Sequence, residues 1–154
     1  MADRPVLFLD VDGVLNHDII FARHIEPPLD AEIVDRLNRL CELTGAHVVL
    51  SSAWRAGKTH DGLEQDLRDA GALKHAHPTD PRTKWLSTGR RGDEIDEWLS
   101  RHPEVTIYAI VDDEADMRPW QMPHFVQTNF QTGGMTERHA EALRVILIAE
   151  PPHG

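Results

Sequence analysis

Three continuous apolar runs constrain this chain most: VLFL at 6–9, HVVL at the start of 47–52, and VTIYAIV at 105–111. Short apolar runs bounded by polar residues read as strands buried on both faces. HFVQT, 124–128, predicts a fourth short strand. The segments between carry a helical pattern instead. In LDAEIVDRLNRLCELTG, 29–45, Ile33, Val34, Leu37, Leu40 and Cys41 share one face, with Asp30 as N-cap and Gly45 as stop. Helices are also predicted over 59–71, over 92–102 with Asp93 as N-cap, and over 135–150 with Thr136 as N-cap. Residues 17–29, with Pro27 and Pro28, predict a loop, and so do 72–90, with room for one short strand. The connections are too long for hairpins, so the strands are expected to be parallel with crossover helices. The expected fold is α/β: a three-layer, Rossmann-like open parallel sheet with helices on both faces. The 154 residues show no repeat, low-complexity tract or linker, so a single domain over 1–154 is expected.

Several function classes drop out. No stretch approaches the roughly 20 apolar residues of a membrane span, and the run at 6–9 is too short for a signal peptide. Cys41 is the single cysteine, which excludes an internal disulfide and points to a reducing, cytoplasmic setting; on its apolar helix face it is expected to be buried and inert. The net charge of −10 opposes extended contact with a nucleic-acid backbone, though not a local basic pocket.

The strand ends carry the chemistry. The first run stops at Asp10-Val11-Asp12-Gly13, the second at Ser51-Ser52, the third at Asp112-Asp113. In an open parallel sheet, ligands bind at the carboxyl ends of the strands, so these groups gather at one edge. Clustered carboxylates repel one another. A divalent cation relieves this, and Mg²⁺ is typically held by one or two carboxylates with waters and a phosphate. A phosphate in turn explains a hydroxyl and a cation close by. An aspartate can serve as nucleophile, and a second one as acid and base.

These residues resemble the motifs of the haloacid dehalogenase (HAD) superfamily. FLDVDGVLN is similar to motif I, VVLSSAWR to motif II and YAIVDDEADM to motif IV, while RRGDEIDEWL sits where motif III belongs. Trp54–Arg55, RGDEIDEWL and the VQT and GMT segments look most like a small HAD group related to phosphatase domains of RNA-repair proteins. The resemblance implies Asp10 as nucleophile and metal ligand, and Asp12 as acid/base, with its backbone carbonyl on the metal. It implies Asp113 as a further Mg²⁺ ligand, and Asp112 as support for the metal shell or the motif III cation. Of Ser51 and Ser52 only one can face the phosphate, because side chains alternate along a strand; the small Ala53 favours Ser52. Motif III usually offers lysine. Here Arg91 fits the position, and Lys84 is the alternative reaching in from the loop. Arg55 is a candidate substrate contact and Trp54 a packing residue. The motif I aspartate pair favours ester hydrolysis over dehalogenation. His75 and His77 lack zinc-site spacing and read as surface loop, and TGGMT, 132–136, as a turn leading into an N-cap.

Neither inter-motif segment has room for a cap domain with its own core. An open site suits a large phosphorylated substrate, such as a nucleic-acid end or a phosphoprotein. The expected function is a capless, Mg²⁺-dependent phosphatase acting through an aspartyl phosphate. A catalytically weak phospho-ligand-binding domain and a phosphotransferase are the alternatives.

Overall fold

The computed structural model describes residues 4–51 and 60–149. Four parallel strands, β1 (Val6–Leu9), β2 (His47–Leu50), β3 (Tyr108–Asp112) and β4 (Phe125–Gln127), lie in the order β2-β1-β3-β4. The helices are α1 (Asp18–Ala22), α2 (Ala31–Thr44), α3 (His60–Asp69), α4 (Arg91–Ser100) and α5 (Glu137–Leu147). Isolated parallel bridges from Val48 to Ala76 and from Leu50 to Arg82 continue the pairing beyond β2. They lie in the segment expected to be loop with one short strand.

Register decides what each sheet face buries. Val6, Phe8, Val49 and Ile110 pack on Ile95 and Trp98 of α4. The alternate residues Leu7, Leu9, Val48, Leu50, Ala109 and Val111 face the larger core built with α2, α3 and α5. The result is the expected three-layer open parallel α/β sheet, with no cap domain among the described residues. No helix among them is long and apolar enough to cross a membrane. Cys41 is buried, and burial pushes its thiol up to about 12, so it stays protonated.

Local chemistry fixes several boundaries as expected. Asp30 accepts from the backbone N–H groups of Glu32 and Ile33 at 2.9 and 3.3 Å, and Gly45 ends α2 in the left-handed region at φ 76°. Thr136 caps α5. Three expectations are corrected. Residues 17–29 contain α1, a helix too short to show periodicity. Asp93 is not the N-cap of α4, because the helix begins two residues earlier and Asp93 forms a two-pronged pair with Arg118 at 2.6 and 2.9 Å. His77 lies in the expected loop but is half-buried, not on its surface: its ring lies edge-on to Trp98 at 5.3 Å, and its Nδ1 accepts from the backbone of Thr79 and Asp80.

Candidate active site

The ladder runs one residue past the strand ends. Asp10 N–H donates to the Val111 carbonyl and Ser51 N–H to the Leu9 carbonyl. Extending the register therefore sets Ser51, Asp10 and Asp112 in one row on the α4 face of the sheet. Asp10 and Asp112 are buried, Asp113 half-buried, and one oxygen from each lies within 4.8 Å of the others.

Arg91, the first residue of α4, brings its guanidinium into this row. Its Nη1 donates to Asp10 Oδ1 at 3.2 Å and to Asp112 Oδ2 at 3.0 Å, and its side chain is 9% exposed. A cation at a helix N-terminus opposes the helix dipole, so its position needs outside support. Burial disfavours the Arg91 charge, but Asp112 and Asp10 outweigh it and raise its pKa. The loop after β3 supplies the backbone support. Arg91 N–H donates to Asp116 Oδ2 at 3.1 Å, Gly92 N–H to the Asp116 carbonyl at 3.0 Å, and the buried Gln121 carboxamide to the Gly92 carbonyl at 2.8 Å. A Cβ on Gly92 would sit 2.6 Å from Gln121 Oε1 and 2.9 Å from Arg118 N, so this close approach requires glycine.

Motif I turns away from the sheet at Gly13. Its φ is +81°, and a Cβ there would lie 2.3 Å from Asp113 Oδ2. The glycine thus leaves the space that the Asp113 carboxylate occupies. Asn16 clamps the turn: its Oδ1 accepts from Gly13 N–H at 2.9 Å, and its Nδ2 donates to Asp12 Oδ1 at 3.1 Å and the Pro28 carbonyl at 3.0 Å. Thr128 Oγ1 donates to the Gly13 carbonyl at 2.6 Å. The TGGMT turn packs on the same segment, with Met135 N–H on the Val14 carbonyl.

The electrostatics fit a divalent cation. Three carboxylates against one guanidinium leave two formal negative charges (−3 + 1 = −2). Burial, followed by the Asp10 carboxylate, pushes Asp112 up to about 8 in spite of Arg91. The same two causes push Asp113 up to about 6. Asp113 Oδ1 is buried with no hydrogen-bond partner among the described residues. Hard oxygen donors, surplus negative charge and an orphaned carboxylate oxygen together suit a hard divalent cation.

The structure thus gathers Asp10, Asp112, Asp113, Ser51 and Arg91, with Asp12 half-buried beside them. Ser51, on the face of the sheet that carries Asp10, takes the place that the sequence favoured for Ser52; its Oγ is buried and has no hydrogen-bond partner among the described residues. Ser52, Trp54 and Arg55 lie outside the described residues. Lys84 is not brought in: its side chain is 64% exposed, and its Nζ lies 4.0 Å from Glu97 Oε1. Sequence reasoning missed Asn16, Thr128, Asp116 and Gln121. Only Asn16 carried a signal, as a polar residue closing an otherwise apolar stretch after Gly13.

Residues 6–140 match the family described as the HAD domain in Swiss Army Knife RNA repair proteins. No curated protein and no solved structure matches.

Proposed function

The chain belongs to the family of HAD domains in Swiss Army Knife RNA repair proteins, and from that premise we propose that it is a Mg²⁺-dependent phosphatase acting on a phosphorylated polynucleotide end. The observation that carries this reading is the Arg91 guanidinium held between Asp10 and Asp112 beside the orphaned Asp113 oxygen. Asp10, the Asp12 backbone carbonyl and Asp113 would hold the cation. When bound, it supplies the positive charge that lets an anionic phosphate approach anionic carboxylates.

Asp10 is the nucleophile. Arg91 orients it through the 3.2 Å hydrogen bond from its Nη1 to Asp10 Oδ1. Asp10 attacks phosphorus, the phosphorus–oxygen ester bond breaks, and Asp12 gives its proton to the departing oxygen. Asp12 then takes a proton from water, which attacks the phosphoryl group on Asp10. The Asp10–phosphorus bond breaks and inorganic phosphate leaves. Asn16 orients Asp12 through its 3.1 Å hydrogen bond. The Ser51 hydroxyl donates to a phosphoryl oxygen, as does Arg91, which neutralises charge developing there. The open site admits a large substrate. The net charge of −10 disfavours a long grip on its backbone, so recognition is confined to the terminus.

The test is release of inorganic phosphate over many turnovers from 3′- and 5′-phosphorylated oligonucleotides, p-nitrophenyl phosphate and a phosphoserine peptide. Oligonucleotide hydrolysis should need Mg²⁺, cease in EDTA and be inhibited by Ca²⁺, whose coordination is larger and looser. Full activity in EDTA defeats the metal reading. Binding without release, or transfer to an acceptor other than water, defeats the hydrolase reading.

A further inference from the structure

Beside Asp113 lies an open cavity of about 500 Å³, lined by Asp113, Gln127, Thr128, Asn129, Phe130 and Gln131. It follows the end of β4, next to the strand that carries the metal-site carboxylates. Its volume falls within the range of small-molecule sites. Among the described residues Asp113 is its only charged lining residue, and none of them offers a counter-charge to an anion or an acidic peptide.

Three carboxamides line it, and the fold uses only part of their capacity. Gln127 Nε2 donates to the Asp113 carbonyl at 3.1 Å, and its Oε1 has no partner among the described residues. Asn129 Oδ1 accepts from Gln131 N–H at 2.8 Å, and its Nδ2 has no partner among them. The Gln131 side chain is exposed. Phe130 stands among these amides with its ring already braced on Phe21, centroids 5.5 Å apart and planes tilted by 51°. Carboxamides that can both donate and accept, around a fixed aromatic ring, match a nucleobase: its edge takes paired hydrogen bonds and its face stacks.

We propose that this cavity seats the nucleoside whose phosphate is presented to Asp10. The base stacks on Phe130, with its edge against Gln127, Asn129 and Gln131. The inference rests on the reading of the site as a phosphatase for polynucleotide ends. It adds that the terminal nucleoside is recognised by the loop after β4, not by a basic surface.

The test is an NMR titration of the isotopically labelled full chain with adenosine, with glucose and with a blocked serine tripeptide. Phosphate release from phosphorylated oligonucleotides is followed in parallel. Adenosine should shift the backbone amides of 127–131 and saturate, while glucose and the peptide should not. Phe130→Ala should weaken adenosine binding about 5- to 150-fold, the range for lost base–aromatic stacking, and Phe130→Tyr should recover most of it. If Phe130→Ala fails to fold, Phe130→Leu gives the same reading, because it keeps apolar bulk against Phe21 without an aromatic face. No shift at 127–131 overturns the proposal, as does equal binding of glucose or the peptide. So does unchanged affinity in a folded Phe130 variant. Adenosine carries no phosphate and needs no turnover, so its failure to bind speaks against the cavity alone. Missing phosphate release speaks against the Asp10 reading alone.

Discussion

Arg91→Ala removes a guanidinium that is 9% exposed and donates to two buried carboxylates at 3.2 and 3.0 Å. Removing one partner of a buried ion pair costs about 3–5 kcal/mol, because the charge left behind is uncompensated. Asp113 is only half-buried, so water can reach the space vacated, and the lower end, about 3 kcal/mol, is expected in EDTA. The formal charge of the cluster goes from −2 to −3 (three carboxylates without Arg91). Mg²⁺ should therefore stabilise the variant more than the wild type, through its binding to the folded state alone. Urea denaturation followed by circular dichroism, in EDTA and in Mg²⁺, reads both effects. In the phosphate-release assay kcat/KM should fall by about 10²–10³, as when one preorganised donor to developing charge is lost. Arg91→Lys should recover part of it, limited by shorter reach and fewer donors. Lys84→Ala should change neither stability nor rate. A stability loss under about 1 kcal/mol, the scale of an exposed pair, would refute the reasoning. Equal stabilisation of both proteins by Mg²⁺ would refute it too.

Gly13→Ala should lose about 1–2 kcal/mol from its positive φ alone and displace Asp113, whose Oδ2 lies 2.3 Å from the new Cβ. Calorimetry should then show Mg²⁺ affinity down by about 10- to 100-fold. Asp12→Asn should keep Mg²⁺ binding and lose about 10²–10⁴ in kcat, the usual acid/base contribution, as measured by stopped-flow phosphate release. His102 sits between Asp80 and Glu104 at 2.7 and 2.9 Å; burial opposes its charge, but the two hydrogen bonds outweigh it and raise its pKa above 6.5. Its stabilising effect is complete below that value and is lost as pH rises through the folded pKa. The stability difference between wild type and His102→Gln, from denaturation at several pH values, should therefore shrink above neutral pH; a gap that widens there contradicts the assignment.

What was legible in the sequence was the part carried by strand ends. A buried run followed by Asp10-Val11-Asp12-Gly13 shows both the strand and its chemistry, because an apolar run has no local need for two carboxylates. Asp112–Asp113 reads the same way. Arg91 was legible only through resemblance, since one arginine among Arg90, Arg91 and Lys84 has no local mark of burial. Pairings that close over distance left no periodic signal. Asp116 caps α4 from 25 residues away, and Thr128 holds Gly13 across 115. Asp93 has the right chemistry for an N-cap, yet tertiary contact gave it to Arg118. His77 looked exposed because its partners Trp98 and His102 come from another element and its end.

Covalent capture of the phosphoryl group tests the central claim most directly. A phosphorylated oligonucleotide mixed with the protein and Mg²⁺, quenched in acid within one turnover and digested for mass spectrometry, should yield a phosphorylated peptide whose modified residue is Asp10. Asp10→Asn should give neither this peptide nor phosphate release. Phosphate release with no label on Asp10, or an Asp10→Asn protein that still turns over the oligonucleotide, would contradict the account.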